Sequence, residues 1–205
     1  MRGAGPSFGI TTAIKVKTFP APSSVTVFQY VWNMNPTDAA NAVSVFQHFT
    51  TSNIPSQFSG KFVIGRGHAP GKLSFNLTGA WYGPKPKFNS VVHPFLSRVG
   101  PPHSEHVATG SYIDSVTYFG GLGTLNTSAP DSRDTFYAKS LMTPAASPIS
   151  NRALLAFMNY MTKEGFDTNL VSFAFHPCIT LSHCSKRTGT SSWTCTEEGI
   201  LLLMS

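Results

Sequence analysis

Residues Ile10 to Phe19 alternate, with Ile10, Thr12, Ile14, Val16 and Thr18 on one side and Thr11, Ala13, Lys15, Lys17 and Phe19 on the other. That period of two predicts a strand, and Pro20 and Pro22 end it because proline brings no N–H to a ladder. Val25 to Trp32 is rich in β-branched and aromatic residues and reads as a second strand. From Thr37 the period changes. Ala39, Val43, Phe46 and Phe49 recur at helical spacing behind Asp38, whose charge suits the positive end of a helix, and Ile54-Pro55 closes the segment. Lys61–Ile64 and Leu73–Tyr82 read as strands, with Pro70-Gly71 as the turn between them. A second helix is predicted from about Lys87 to Val99, with Phe88, Val91, Val92, Phe95 and Leu96 on one face.

His106 to Phe119 is aromatic and β-branched without clean alternation, and it fits neither template. Asp134 to Met142 reads as a strand. Ser147 followed by Pro148 combines a good N-cap with a proline at the first helical position, and opens a helix that buries Leu154, Leu155, Met158 and Met161 before Gly165. The short connections before Tyr82 favour antiparallel pairing. The expected class is α+β, an antiparallel sheet with helices packed on one face.

Composition narrows the partners more than it identifies the chemistry. Of 205 residues, 41% are hydrophobic and 12% charged, which suits a folded domain. The net charge of +6 comes from scattered residues (Lys15, Lys17, Lys61, Arg66, Lys72, Lys85, Lys87) that form neither a run nor a stripe with aromatics, so no nucleic-acid partner is expected. No apolar run is long enough to span a bilayer, and no membrane partner is expected. Low charge with abundant Ser, Thr, Asn, Gly and Pro points to a secreted parent protein, although Met1 opens on a glycine turn and not on a signal peptide.

Candidate reactive groups are sparse. The 3 cysteines, Cys178, Cys184 and Cys195, are odd in number and confined to the end of the chain, which makes a poor disulfide framework. Cys178, His183 and Cys184 lack a second pair of ligands, so no metal is expected. His48, His68, His93, His103 and His106 share no spacing, and Asp114 and Asp134 have no visible second carboxylate, so no catalytic residue is assigned. Lys139 reads as a structural strand lysine. Asn76-Leu-Thr78 and Asn126-Thr-Ser128 are glycosylation sequons. Asn126 lies among turn residues and is the better acceptor, whereas Asn76 sits in mid-strand, where it can face a pocket.

The segment Gly3-Ala-Gly5-Pro-Ser-Phe-Gly9-Ile10 is glycine-rich, and glycines let backbone amides approach a polar ligand closely. Alone it is a turn. It is not the dinucleotide fingerprint, because the glycine spacing differs and a strand, not a helix, is expected to follow. Taken with Arg2, Thr12, Lys15 to Phe19 and Pro20, it resembles a signature of the berberine-bridge-enzyme-like FAD-linked oxidases. These belong to the PCMH-type, or vanillyl-alcohol-oxidase, superfamily, and the fungal glucooligosaccharide and chitooligosaccharide oxidases are the nearest-looking members. Pro6, Ser7 and Thr11 depart from the usual form. Further matches follow in order at Thr26-Val-Phe-Gln-Tyr30, Leu77-Thr-Gly-Ala-Trp-Tyr-Gly83, Tyr112-Ile-Asp-Ser-Val116 and Phe136-Tyr-Ala-Lys-Ser140, so the resemblance covers roughly residues 1–170.

The resemblance implies that residues 1–22 are the edge of an FAD-binding domain and residues 23–170 an incomplete substrate domain, a sheet that roofs the flavin. It implies FAD as cofactor, with contacts from Gly3, Ala4, Gly5, Ser7, Gly9 and Ile10. In Leu73 to Gly79, alternation puts Ser74, Asn76 and Thr78 on one face. The family places a sugar-contacting polar group near the Thr78 position, often a longer acid or amide, which makes Asn76 and Thr78 the substrate-binding candidates. The implied reaction is oxidation of a carbohydrate-type or other alcohol CH–OH group with oxygen as acceptor, by a monomer acting on a small-molecule or oligosaccharide substrate. The family's flavin-anchoring His and Cys are expected before Met1 and its tyrosine-type base beyond Ser205. This chain alone is therefore expected to be inactive. The alternative is a non-catalytic remnant, a pseudogene-like product that at most binds a sugar.

Residues 171–205 fit neither a period nor the family. Read in another frame, codons permitted for Trp193 to Ile200 can encode Leu-Asp-Leu-Tyr-Gly-Gly-Arg-His, a motif like the one with which relatives continue. Val171-Ser172 can encode a splice donor and Cys184-Ser185 an acceptor. The expectation is a retained intron and a frameshift, with no packed structure and no function for the cysteines, His176 or His183. A spliced transcript that still encodes Val171 to Cys184 would overturn it.

Overall fold

Alternation along the apolar segments becomes one sheet. The computed structural model describes residues 10, 12–13, 15–120, 128, 139–144, 146–163, 173–177 and 199–204, with the strands in 139–144, 173–177 and 199–204 defined by their backbone. In chain order the elements are β1 (Val25–Met34), α1 (Pro36–Thr50), β2 (Phe58–Arg66), β3 (Leu73–Trp81), α2 (Phe88–Val99), β4 (Ser104–Gly110), α3 (Tyr112–Gly120), β5 (Lys139–Pro144), α4 (Asn151–Thr162), β6 (Phe173–Pro177) and β7 (Gly199–Met204). The strands form a seven-stranded sheet in the order β4-β1-β3-β2-β6-β7-β5. Every neighbouring pair is antiparallel. The expected α+β class is what the chain adopts.

Period two divides the central strands into two faces. Phe28, Tyr30, Trp32 and Met34 from β1, Phe58, Phe62 and Ile64 from β2, and Leu73, Phe75 and Leu77 from β3 are all buried in the main core. Helices α1, α2 and α4 cover them with Val43, Phe46, Phe49, Val92, Phe95, Leu154, Met158 and Met161, the apolar stripes of those helices. Aromatic rings dominate the seam: Phe95 meets Trp32 and Phe46 edge-on at centroid distances of 6.1 and 5.9 Å, and Phe28 stacks on Phe58 at 5.4 Å.

The helices start where backbone donors find partners. Asn35 caps α1, accepting from the Asp38 N–H at 2.9 Å while its amide donates to the Asp38 carboxylate at 2.7 Å. Helix α4 starts at Asn151, with Ser150 as N-cap, and not at Pro148 as Ser147-Pro148 had indicated. The reason is tertiary. The buried Gln47 of α1 accepts from the Ile149 N–H at 2.8 Å and donates to the Ile149 carbonyl at 3.1 Å, so both backbone groups of Ile149 are taken up by a side chain from another helix.

Three other expectations change. The described residues of Ile10–Phe19 lie outside any strand, and Ile10, Val16 and Phe19 are 94%, 69% and 78% exposed. A strand is completed by a neighbour's hydrogen bonds, and none of the described residues of this segment is paired in the sheet. His106–Phe119 mixes two periods because it holds the end of β4 and then α3, with the change at Ser111. Helix α3 also lies on the opposite side of the sheet from the other three helices, where Tyr118 stacks on His106 at 5.5 Å. Of Asp134–Met142, the strand is seen from Lys139, and residues 134–138 lie outside those described.

Within 171–205, the described residues include β6, which pairs with β2, and β7, which pairs with β5 and β6. Neither carries an alternating pattern. They join through backbone hydrogen bonds, which any extended segment offers to a sheet edge.

Candidate functional site

The second face of the sheet is the candidate site. Ladder register sets its residues in rows, because directly opposed residues in an antiparallel pair point the same way. One row runs His106, Gln29, Thr78, Lys61 across β4, β1, β3 and β2. The next runs Ser104, Val31, Asn76, Val63, and a third runs Asn33, Ser74, Gly65. Gln29, Val31, Val63, Ser74, Asn76 and Thr78 are all part-buried, while the alternating residues beneath are fully buried. The same strands thus present a dry aromatic face to three helices and a face of amides and hydroxyls on the other side.

Asn76 lies at the centre of this face. Its Oδ1 is buried and accepts no hydrogen bond from the described residues, which leave this desolvated acceptor without compensation. Such an atom fits a ligand that brings a donor. Its neighbours Gln29, Ser74 and Thr78 supply both donors and acceptors, a set suited to sugar hydroxyls or to the polar edge of a flavin ring. Asn76 is in mid-strand and half-buried, while Asn126 lies outside the described residues.

Of the expected FAD contacts, Gly3, Ala4, Gly5, Ser7 and Gly9 lie outside the described residues. Ile10 is described and exposed. Asn76 and Thr78 share one face as alternation required, and register adds Gln29, His106 and Lys61 to it. Those additions were hidden in the sequence because strand pairing, not spacing along the chain, makes them neighbours.

The shifted groups assign no base to this face. Burial pushes the Tyr118 phenol up, so at neutral pH it donates hydrogen bonds and does not take a proton. Burial, followed by the Glu105 charge, raises Tyr30 on the helix-bearing face. Burial, followed by Tyr112, raises Tyr82.

Asp114 goes the other way. It accepts from the Ser111 N–H at 2.7 Å and the Ser111 hydroxyl at 2.8 Å, while the Asp114 N–H donates back to Ser111 Oγ at 3.2 Å, a reciprocal cap at the start of α3. The backbone donor first, and the hydroxyl second, hold its carboxyl below the ordinary 3.8. A depressed carboxyl contributes stability that is present above its unfolded pKa and lost as pH falls through its folded pKa. Acidification below about pH 3.8 is therefore expected to fray α3 first. Carboxyl shifts followed by NMR should show Ser111→Ala raising the Asp114 midpoint only part of the way back, because the backbone N–H of residue 111 still donates to it. An unmoved midpoint would refute the cap.

Comparison with known proteins adds the family. No family model matches the chain. It is 27% identical over 168 residues to a chitooligosaccharide oxidase of Gibberella zeae, covering 80% of this chain and 32% of that protein. It is 28% identical over 165 residues to an FAD-linked oxidoreductase of Metarhizium anisopliae, covering 80% and 30%. A xylooligosaccharide oxidase of Thermothelomyces thermophilus is 26% identical over 154 residues, covering 72% and 29%. Among solved structures, the fold matches a chitooligosaccharide oxidase with a TM-score of 0.67 at 19% identity, over 91% of this chain and 39% of that one. It also matches the Physcomitrella patens BBE-like 1 protein with a TM-score of 0.71 at 20% identity, over 91% and 40%. The homologues of this chain are therefore oligosaccharide oxidases and FAD-linked oxidoreductases, its fold is that of the berberine-bridge-like flavoproteins, and it spans about a third of the length of the curated relatives it matches.

Proposed function

We propose that this chain is the substrate-covering part of an FAD-dependent oxidase acting on the CH–OH group of a carbohydrate-type or other alcohol, with oxygen as final acceptor. The observation that supports this reading best is the half-buried polar face with the unpartnered Asn76 Oδ1 at its centre. FAD, when bound, supplies the hydride acceptor. Gly3, Ala4, Gly5, Ser7, Gly9 and Ile10 are the residues proposed to lie against it. Asn76 and Thr78 hold substrate hydroxyls, and Gln29 extends the same row. The chain's own task is to bind and orient the alcohol and to exclude water from it. No described residue takes the proton, and the chain alone is proposed to be inactive. The parent protein is proposed to be secreted and monomeric.

A remnant that binds sugar without catalysis rests on the same face, since hydrogen bonds to hydroxyls need no flavin. Ligand-observed NMR on the full chain with a neutral oligosaccharide tests both readings. Joint replacement of Asn76 by Leu and Thr78 by Val is expected to weaken binding at least about tenfold, because each lost hydrogen bond to a neutral hydroxyl is worth roughly 1 kcal/mol. Sugar affinity that rises on adding FAD favours the oxidase part, by reciprocal coupling between two sites. Affinity indifferent to FAD favours the remnant. A wild-type chain that binds no sugar in either condition overturns both.

A further inference from the structure

We propose that the substrate of this face is an acidic carbohydrate, and that Lys61 binds its carboxylate. The inference rests on the reading above and narrows it to a substrate class. Lys61 stands directly opposite Thr78 in the β2–β3 ladder, so both side chains leave the same face, with Cβ atoms about 5 Å apart. Lys61 is exposed, and its flexible four-carbon stem is long enough for the ammonium to reach a ligand bound on the Thr78 row.

Nothing among the described residues neutralises that charge. Their carboxylates are Asp38, Glu105 and Asp114. Asp38 is tied to Asn35 at the start of α1. Glu105 is opposite Tyr30 and therefore faces the side covered by α1, α2 and α4. Asp114 is held by Ser111 beside Gly110, whose partner Val25 is four positions, or about 13 Å, along β1 from Gln29. The Thr78 row thus sets Lys61 in line with Thr78, Gln29 and His106, with the part-buried Asn76 in the next row and no described carboxylate in either.

A neutral sugar offers this ammonium only hydroxyl oxygens as acceptors. A carboxylate offers more, because an N–H donor on a cation bonds an anionic oxygen about twice as strongly as neutral partners bond each other. The net charge of +6 adds a weaker, long-range attraction of the same sign. Thr78 contributes by being short and neutral: an acid at that position would pair with Lys61 and remove the preference.

The test uses a matched pair that differs only in charge, glucuronosyl-glucose and its methyl ester, titrated into the full chain by calorimetry at low ionic strength. The acid is expected to bind about tenfold more tightly than the ester, with the difference shrinking as salt is raised. Lys61→Gln should remove the difference between acid and ester, and Lys61→Arg should keep it. Equal binding of acid and ester by the wild-type chain, or a preference that survives Lys61→Gln, overturns the inference and leaves the proposed function standing. Failure of both ligands to bind overturns the reading on which it rests.

Discussion

Gly79→Ala is expected to cost about 3 kcal/mol or more and to leave the chain mostly unfolded or aggregated, an effect at the severe end for a single methyl group. Gly79 faces Phe28 and Gly60 across the β1 and β2 ladders. A Cβ there would overlap the Ser59 carbonyl oxygen and lie 2.7 Å from both Gly60 Cα and the Phe28 ring. Backbone pinned on both sides cannot retreat without breaking ladder bonds next to Thr78. Gly60→Ala is the internal control. Its Cβ would meet only side-chain atoms, with the Phe58 ring at 2.9 Å and Phe28 at 3.6 Å, so ring movement can relieve the strain. Urea denaturation of the two variants should therefore rank Gly79→Ala well below Gly60→Ala. Equal midpoints would refute the claim that close backbone on the neighbouring strand makes Gly79 the less tolerant of the two.

Phe95→Ala carries the next largest effect, about 3–5 kcal/mol, the usual range for removing a buried ring and leaving a cavity. Phe95 is 0% exposed and is where α2 meets the rest of the core, touching Trp32 of β1, Phe46 and Phe49 of α1, and Phe62 of β2. No single element can collapse into the space, because the surrounding rings come from three elements already locked by their own ladders and turns. Thermal unfolding read by near-ultraviolet circular dichroism should show both a lower midpoint and a weakened aromatic signal. A loss of less than about 1 kcal/mol would mean that the seam repacks and is not the rigid support of the polar face.

That support connects the fold to the proposed function. Binding groups on a sheet are placed by the backbone, so their precision depends on what packs against the other side. Here the hidden side is aromatic and dense, while the exposed side carries the amides, hydroxyls and lysine. Residues on the two faces alternate one by one along β1, β2 and β3.

Much of this was legible in the residues themselves. The helical spacing of Ala39, Val43, Phe46 and Phe49 is the buried stripe of α1, and Phe88, Val92 and Phe95 are that of α2. Asn76 and Thr78 share a face by period alone. The ordered motifs also led to the oxidase relatives at a low overall identity. Periodicity succeeds here because it reports burial by neighbours that any helix or half-buried strand would need.

Other features had no local signal. Pro148 looks like a helix start, but the Gln47 bridge to Ile149, 102 positions away, moves the start to Asn151. Ile10–Phe19 alternates as a strand, yet alternation names no partner, and its described residues lie outside any strand. His106 looked like an isolated histidine until β4 placed it in the Gln29 row, against Tyr118. The chain by itself determined which residues turn inward, the class of fold and the family it resembles. Tertiary structure alone decided which inward and outward residues meet, because ladder register and side-chain bridges join positions that no spacing along the sequence relates. The proposed site is that second kind of fact: Lys61 beside Thr78, over an unpartnered Asn76.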